Sequence, residues 1–338
     1  MSGADQSINN PVKTENMKRY ILLVIWFSAI IPINAQDSTF LVPLKKWNMK
    51  IVGLDHMYKT YLADPLGVRF EAGPQFFSYA DYDYTDGINQ GGKYTGHLTV
   101  FPAARLSLFQ FRPKSNPNLG VEAEIGVMTP CHMRDGNNDF IGLDGVYYFA
   151  VAANPAEWLS LRFSKHHICT HIGDEFPKRY TTSVTDRDPM FKLGPVQDDL
   201  RWALSLRPLW FLHRPNLDIL RVYGEVGYFD PGSDFLGARK SWPNQYAYMN
   251  YMAGAELEYY FSDKLRWLGG VFAAGNVSTY QMNGFAKNIN ITAGYILPQE
   301  RNKLRFRLGI QFYNGRSLVN EFYNRRERFT AIFLAFDV

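Results

Sequence analysis

The sequence predicts an all-β fold: a transmembrane antiparallel up-and-down β-barrel of about twelve strands behind a cleaved N-terminal signal peptide. Three observations lead there. The chain is 46% hydrophobic and 16% aromatic, yet its mean hydropathy is only −0.25, so apolar and polar residues must be interleaved. The interleaving has a period of two along most of the chain. The connections between the alternating segments are short and long by turns, as they are when strands run up and down through a membrane.

The elements follow in chain order. Residues 1–16 are polar and form an upstream extension before a better start signal at Met17. Residues 17–35 read as the signal peptide. Lys18 and Arg19 precede an apolar core from Ile21 to Ile31, and a cut is expected after Ala35. That core is shorter than the roughly 20 apolar residues of a spanning helix. No Cys stands at the cut, which argues against a lipoprotein. Residues 36–65 are expected to form a periplasmic N-terminal segment, and residues 66–338 the outer-membrane barrel.

Strands are expected near 66–79, 95–111, 118–129, 140–152, 158–168, 199–213, 219–229, 247–261, 265–277, 285–297, 302–314 and 327–338. A tilted spanning strand needs about 9–11 residues. In 303–313, Leu304, Phe306, Leu308, Ile310 and Phe312 share one face, opposite Lys303, Arg305, Arg307 and Gln311. In 249–261, Met249, Tyr251, Ala253, Ala255, Leu257 and Tyr259 oppose Asn250, Glu256 and Glu258. Short turns fall at Pro113–Asn118, Asn154–Glu157, His213–Asp218, Ser262–Lys264 and Pro298–Asn302. Long loops fall between them, at 80–94, 129–140, 169–198, 230–246, 277–285 and 315–326. The last segment, FTAIFLAFDV, ends the chain within a strand and helps close the barrel.

The charges say what the molecule binds and what it does not. A net charge of +4, from 36 basic against 32 acidic residues, with no long basic run, excludes nucleic acid as a partner. The expected surroundings are the lipids of a bacterial outer membrane. A protein partner would meet the extracellular loops, such as Ser78–Tyr84 (SYADYDY), or the N-terminal segment. No cofactor is implied. On the inward parity lie Arg69, Arg105, Arg162, Arg201, Arg207, Arg221, Arg305 and Arg307, interleaved with Glu71, Glu122, Glu124, Asp144, Glu225, Glu256 and Glu258. Such a mixture favours cross-strand pairs. A barrel of this size is also narrower than the water-filled porins of about 16–18 strands. A lumen plugged by side chains is expected; a porin-like channel is the alternative.

One stretch carries candidate chemistry. HHICTHIGDEF, His166 to Phe176, leaves the wall at the long-loop rim and opens the longest loop. Parity points His166 inward beside Arg162 and Ser164, and His167, Cys169 and His171 toward lipid. The motif resembles the His-x-Ser-Ser-His-Leu-Gly-Asp-Glu signature of an uncharacterised outer-membrane family, the domain of unknown function numbered 1207. His167, Cys169, Thr170, His171, Gly173, Asp174 and Glu175 occupy its positions. Ala63, Asp64 and Pro65 match that family's Ala-Asp-Pro-Arg stretch. The chain departs from it at Leu66 and at the Cys169–Thr170 pair. The resemblance implies an outer-membrane barrel and no established activity.

Three uses of the cluster compete. The leading one is architectural. His166, His171, Asp174 and Glu175 would clamp the loop to the rim, Gly173 would turn it, and Cys131 and Cys169 would be available for a disulfide. The second is catalytic: His167 and Cys169, at i and i+2 on one face, have the spacing of the His-x-Ser pair of outer-membrane phospholipase A, so a lipid hydrolase is the alternative function. A partner orienting the histidine is not visible in the sequence. The third is a metal site drawing on Cys131, His132 and His171, without a CxxC or HExxH pattern behind it.

Overall fold

The structure, a computed structural model, describes residues 40–80, 97–134, 140–172, 196–212, 220–229, 249–261, 263–298, 305–322 and 326–337. The signal peptide, Gly173, Asp174 and Glu175 lie outside the described residues. The strands are β1 (Phe40–Pro43), β2 (Trp47–Gly53), β3 (Phe70–Ala80), β4 (His97–Phe101), β5 (Ala103–Pro113), β6 (Gly120–Met128), β7 (Cys131–Arg134) and β8 (Phe140–Ala156). They continue as β9 (Leu159–Ile172), β10 (Val196–Leu206), β11 (Leu220–Phe229), β12 (Met249–Tyr260), β13 (Gly270–Tyr280), β14 (Lys287–Ile296), β15 (Arg305–Arg316) and β16 (Arg326–Asp337).

Proline, which has no N–H to give a ladder, breaks two wall strands at one level. Pro102 separates β4 from β5, Pro130 separates β6 from β7, and Thr129 N donates to Pro102 O across the break (2.8 Å). With β4–β5 and β6–β7 each taken as one broken strand, β3 to β16 make a closed antiparallel barrel of twelve strands, sealed where β16 pairs with β3. This is the transmembrane up-and-down barrel that the alternation predicts. Its outer face exposes Phe149, Val151, Trp202, Ile291, Leu308 and Ile310. At the short-turn rim, Trp47, Trp158, Phe211 and Trp267 are exposed, where aromatic rings sit between hydrocarbon and water.

The N-terminal segment departs from the expectation of a simple periplasmic lead-in. Strands β1 and β2 form a hairpin whose second strand pairs with β5, from Trp47↔Pro113 to Gly53↔Ser107. Residues 54–69 then turn into the lumen, where Tyr58, Leu62 and Ala63 are fully buried. Irregular backbone at that depth must find partners other than water, and the inward charges supply them. Met57 N donates to Glu122 (2.6 Å) and Leu62 N to Glu256 (2.5 Å). Arg105 donates to Tyr58 O (2.6 Å), Arg221 to Lys59 O and Thr60 O (2.9 and 2.8 Å), and Asn290 to Ala63 O (2.7 Å). Each of these bonds but the exposed one to Lys59 O spares a buried or half-buried polar group a penalty of about 1–3 kcal/mol.

The same side chains pair with one another as expected: Arg105–Glu124 (2.5 Å), Arg162–Glu225 (3.2 Å), Arg221–Glu256 (2.6 Å) and Arg307–Asp337 (2.7 Å), with Arg305 on Glu258. At the opposite mouth, residues 317–320 fold back over the inner face. Asn320 N donates to Asp144 (3.1 Å) and its side chain reaches Thr170 (3.3 Å).

Candidate active site on the outer face

Strand β9 runs four residues further than the alternation suggests, so Cys169 to Ile172 belong to the wall rather than to a loop. Strand β10 likewise begins earlier, at Val196. The β9–β10 register sets Asp198 directly opposite His167, and the β8–β9 register sets Tyr147 opposite it on the other side. Three outward side chains on three neighbouring strands thus form one row.

His167 does take the outward parity, yet it is only 4% exposed. Its ring stacks on Tyr147, with centroids 4.6 Å apart. Its Nδ1 lies 2.6 Å from Asp198 Oδ1, and Asp198 is 1% exposed. A carboxylate on Nδ1 fixes the tautomer and leaves Nε2 as the basic nitrogen. Cys169 follows at i+2 on the same face. Its thiol donates to Gly145 O (3.5 Å), across the strand pair. A Cβ at Gly145 would come within 2.8 Å of that sulfur, so glycine there gives the thiol its space.

The remaining cluster residues are dispersed by the wall. His166 points into the lumen, bonded to Ser164 (2.9 Å) and stacked on Tyr148 at 4.9 Å. Both partners are wall residues, on the face opposite the one that His171 takes. His171 is exposed on the outer face. His132 points inward, packed against Phe101 at 5.3 Å. Cys131 donates to Thr129 O (3.3 Å). His132 and His171 therefore stand on opposite sides of the barrel wall, and the metal site drawn from Cys131, His132 and His171 does not assemble. The disulfide does not form either: both cysteines are free. Strand β8 runs between them, and two strand spacings of about 4.8 Å exceed the reach of a disulfide.

Among the described residues, His56, Glu122 and Glu124 are the one set of such groups with ligand atoms within 4.8 Å of one another. They are already committed to the lumen segment. Glu122 accepts from His56 (2.7 Å) and Met57 N, and Glu124 holds Arg105. A guanidinium on one carboxylate opposes a second cation.

Fold and site together define a membrane barrel with a charged, filled interior and, on its outer wall, a His–Asp pair with a cysteine two residues on along the same strand face. No protein-family model and no curated protein sequence matches the chain. Among solved structures it is similar to outer membrane phospholipase A from Escherichia coli (11% identity, 81% of this chain, 91% of that one, TM-score 0.48). It is also similar to the Salmonella typhi outer membrane phospholipase dimer with bound calcium (11%, 80% and 93%, TM-score 0.47). A third is the translocator domain of the autotransporter NalP from Neisseria meningitidis (10%, 96% and 96%, TM-score 0.34). Likenesses this distant say nothing about chemistry.

Proposed function

We propose that this is a bacterial outer-membrane protein whose lumen does not conduct and whose outer face cleaves lipid acyl esters with Cys169 as nucleophile, His167 as base and Asp198 as its orienting partner. The observation that carries the reading is the 2.6 Å contact between His167 Nδ1 and Asp198. Inside the lumen such a pair would need no explanation. On the lipid-facing parity a buried carboxylate is costly, and this one lies against an imidazole whose strand carries a thiol two residues on, on the same face.

The chemistry follows from those groups. A turn about χ1 brings the Cys169 thiol from Gly145 O toward His167. Nε2 takes the thiol proton, and sulfur attacks the ester carbonyl carbon. The tetrahedral intermediate collapses to a thioester as the alcohol leaves with the proton held by His167. Water then gives a proton to His167 and attacks the thioester, releasing a fatty acid and restoring the thiol. Incubating the protein with phospholipid vesicles and weighing the peptide that contains Cys169 tests this: an acyl mass on that peptide and free fatty acid in the medium are expected. A lack of both ends the reading.

The architectural reading keeps one observation in its favour. The thiol's bond to Gly145 O ties β9 to β8, which a clamp would also do. A closed lumen is supported by residues 54–69 within it and residues 317–320 over its mouth. Planar-bilayer recording should accordingly show no large steady conductance; a steady open channel favours the porin.

A further inference from the structure

The imidazole of His167 is held from two sides. On the β10 side its Nδ1 meets Asp198 Oδ1 at 2.6 Å. On the β8 side its face lies on the ring of Tyr147, the residue directly opposite it in the ladder. The two centroids are 4.6 Å apart and the planes 28° from parallel. These contacts do different things. One hydrogen bond fixes an axis, and an aromatic ring can still swing about that axis. A stacked neighbour removes the swing. Because it meets the face, it leaves the edge, where both nitrogens lie, uncovered.

We infer that Tyr147 is a positioning residue for the acyl transfer: its ring holds the plane of His167 and stabilises the cation that His167 becomes. The inference rests on the acyl-cleavage reading. His167 is 4% exposed, so the imidazolium formed when Nε2 takes the thiol proton has little water around it. A cation is attracted to the negative face of an aromatic ring within about 6 Å of its centroid, and more strongly where water is excluded. Asp198 meets that charge at Nδ1, and Tyr147 meets it across the face. The thiol's side stays open. The next outward residue of β8 is Gly145, opposite Cys169, and it has no side chain to stand between sulfur and base. Both effects need a flat ring at position 147 and neither needs a hydroxyl. Phenylalanine should therefore serve there, and leucine should not.

The test compares fatty-acid release by the full-length wild type, Tyr147→Leu, Tyr147→Phe and Tyr251→Leu. Phospholipid vesicles are varied in concentration so that kcat and KM separate. Tyr147→Leu should lower kcat by about ten- to a hundredfold and leave KM within about twofold. Tyr147→Phe should restore kcat to within about twofold of the wild type. Tyr251→Leu takes an exposed ring from the same outer wall, on β12, and should change neither constant. Heat-modifiable mobility checks that each variant is folded, and Tyr147→Met replaces the leucine variant if that one is not recovered folded. Three results overturn the inference and leave the cleavage reading standing. They are a Tyr147→Leu no slower than Tyr251→Leu, a Tyr147→Leu changed in KM alone, and a Tyr147→Phe as slow as Tyr147→Leu. No release by the wild type sinks the cleavage reading, and this inference with it.

Discussion

The two faces of this barrel use the same residue types for different ends. Inside, Arg221 and Glu256 pair at 2.6 Å, and both also bond the backbone of residues 54–69. These charges are there because an irregular segment crosses the lumen and its peptide groups need partners. Outside, His167 and Asp198 pair as closely, at 2.6 Å, on the outward parity. They lie on a regular ladder whose peptide groups bond one another. The inner pairs are accounted for by the segment they hold, and the outer pair is the one beside which a thiol follows on the same strand face.

Variants can break that contrast. The largest effect is expected at the nucleophile and base: Cys169→Ala or His167→Ala should lower acyl release by up to about a millionfold, while the folded, heat-modifiable form survives. If either variant instead loses its folded mobility, the outer row is a clamp. Asp198→Asn should retain the packing but hold His167 in the wrong tautomer, with a loss in kcat of about ten-thousandfold. An unchanged kcat would leave Asp198 as packing.

On the inner face the expectation reverses. Glu256→Ala strips Arg221 of its partner and Leu62 N of its acceptor, at a cost of about 3–5 kcal/mol. Residues 54–69 should become sensitive to protease while acyl release per folded molecule is unchanged. Loss of activity without loss of stability would mean that the two faces are coupled. The smallest effect belongs to the short-turn rim. There, hydrogen bonds from Trp210 (3.1 Å) and Asn116 (2.6 Å) hold the Glu157 carboxyl below its ordinary pKa. A depressed carboxyl contributes stability above its unfolded value and loses it as pH falls through the folded one. The acid limb of a thermal-stability profile should therefore flatten slightly in Glu157→Gln; an identical limb would show that these bonds contribute nothing.

Much of this was legible in the sequence because period-two alternation reports directly on which side of a wall a residue stands. Arg221, Glu256 and Arg307 were placed inward on that ground, and His167 and Cys169 outward. Two things were not legible. Residues 54–69 have no period, so nothing in them distinguishes a lead-in from a segment that fills the lumen. Asp198 lies across a long connection from His167, and register over such a gap is set by pairing that the sequence does not display. One signal was available: QDDLRW places Asp198 on the same parity as Leu200 and Trp202, where a carboxylate is out of place. Extending β10 back by three residues would have exposed it. The clamp drawn from His166 and His171 joined opposite parities of one strand, and the wall separates them.

The account turns on one comparison of rates. Fatty-acid release from phospholipid vesicles should be measured for purified, heat-modifiable wild type, Cys169→Ala and Asp198→Asn side by side. Release by the wild type, none detectable from Cys169→Ala and a trace from Asp198→Asn is the expected result. No release by the wild type, or release that Cys169→Ala leaves intact, contradicts the assignment of the outer row to catalysis.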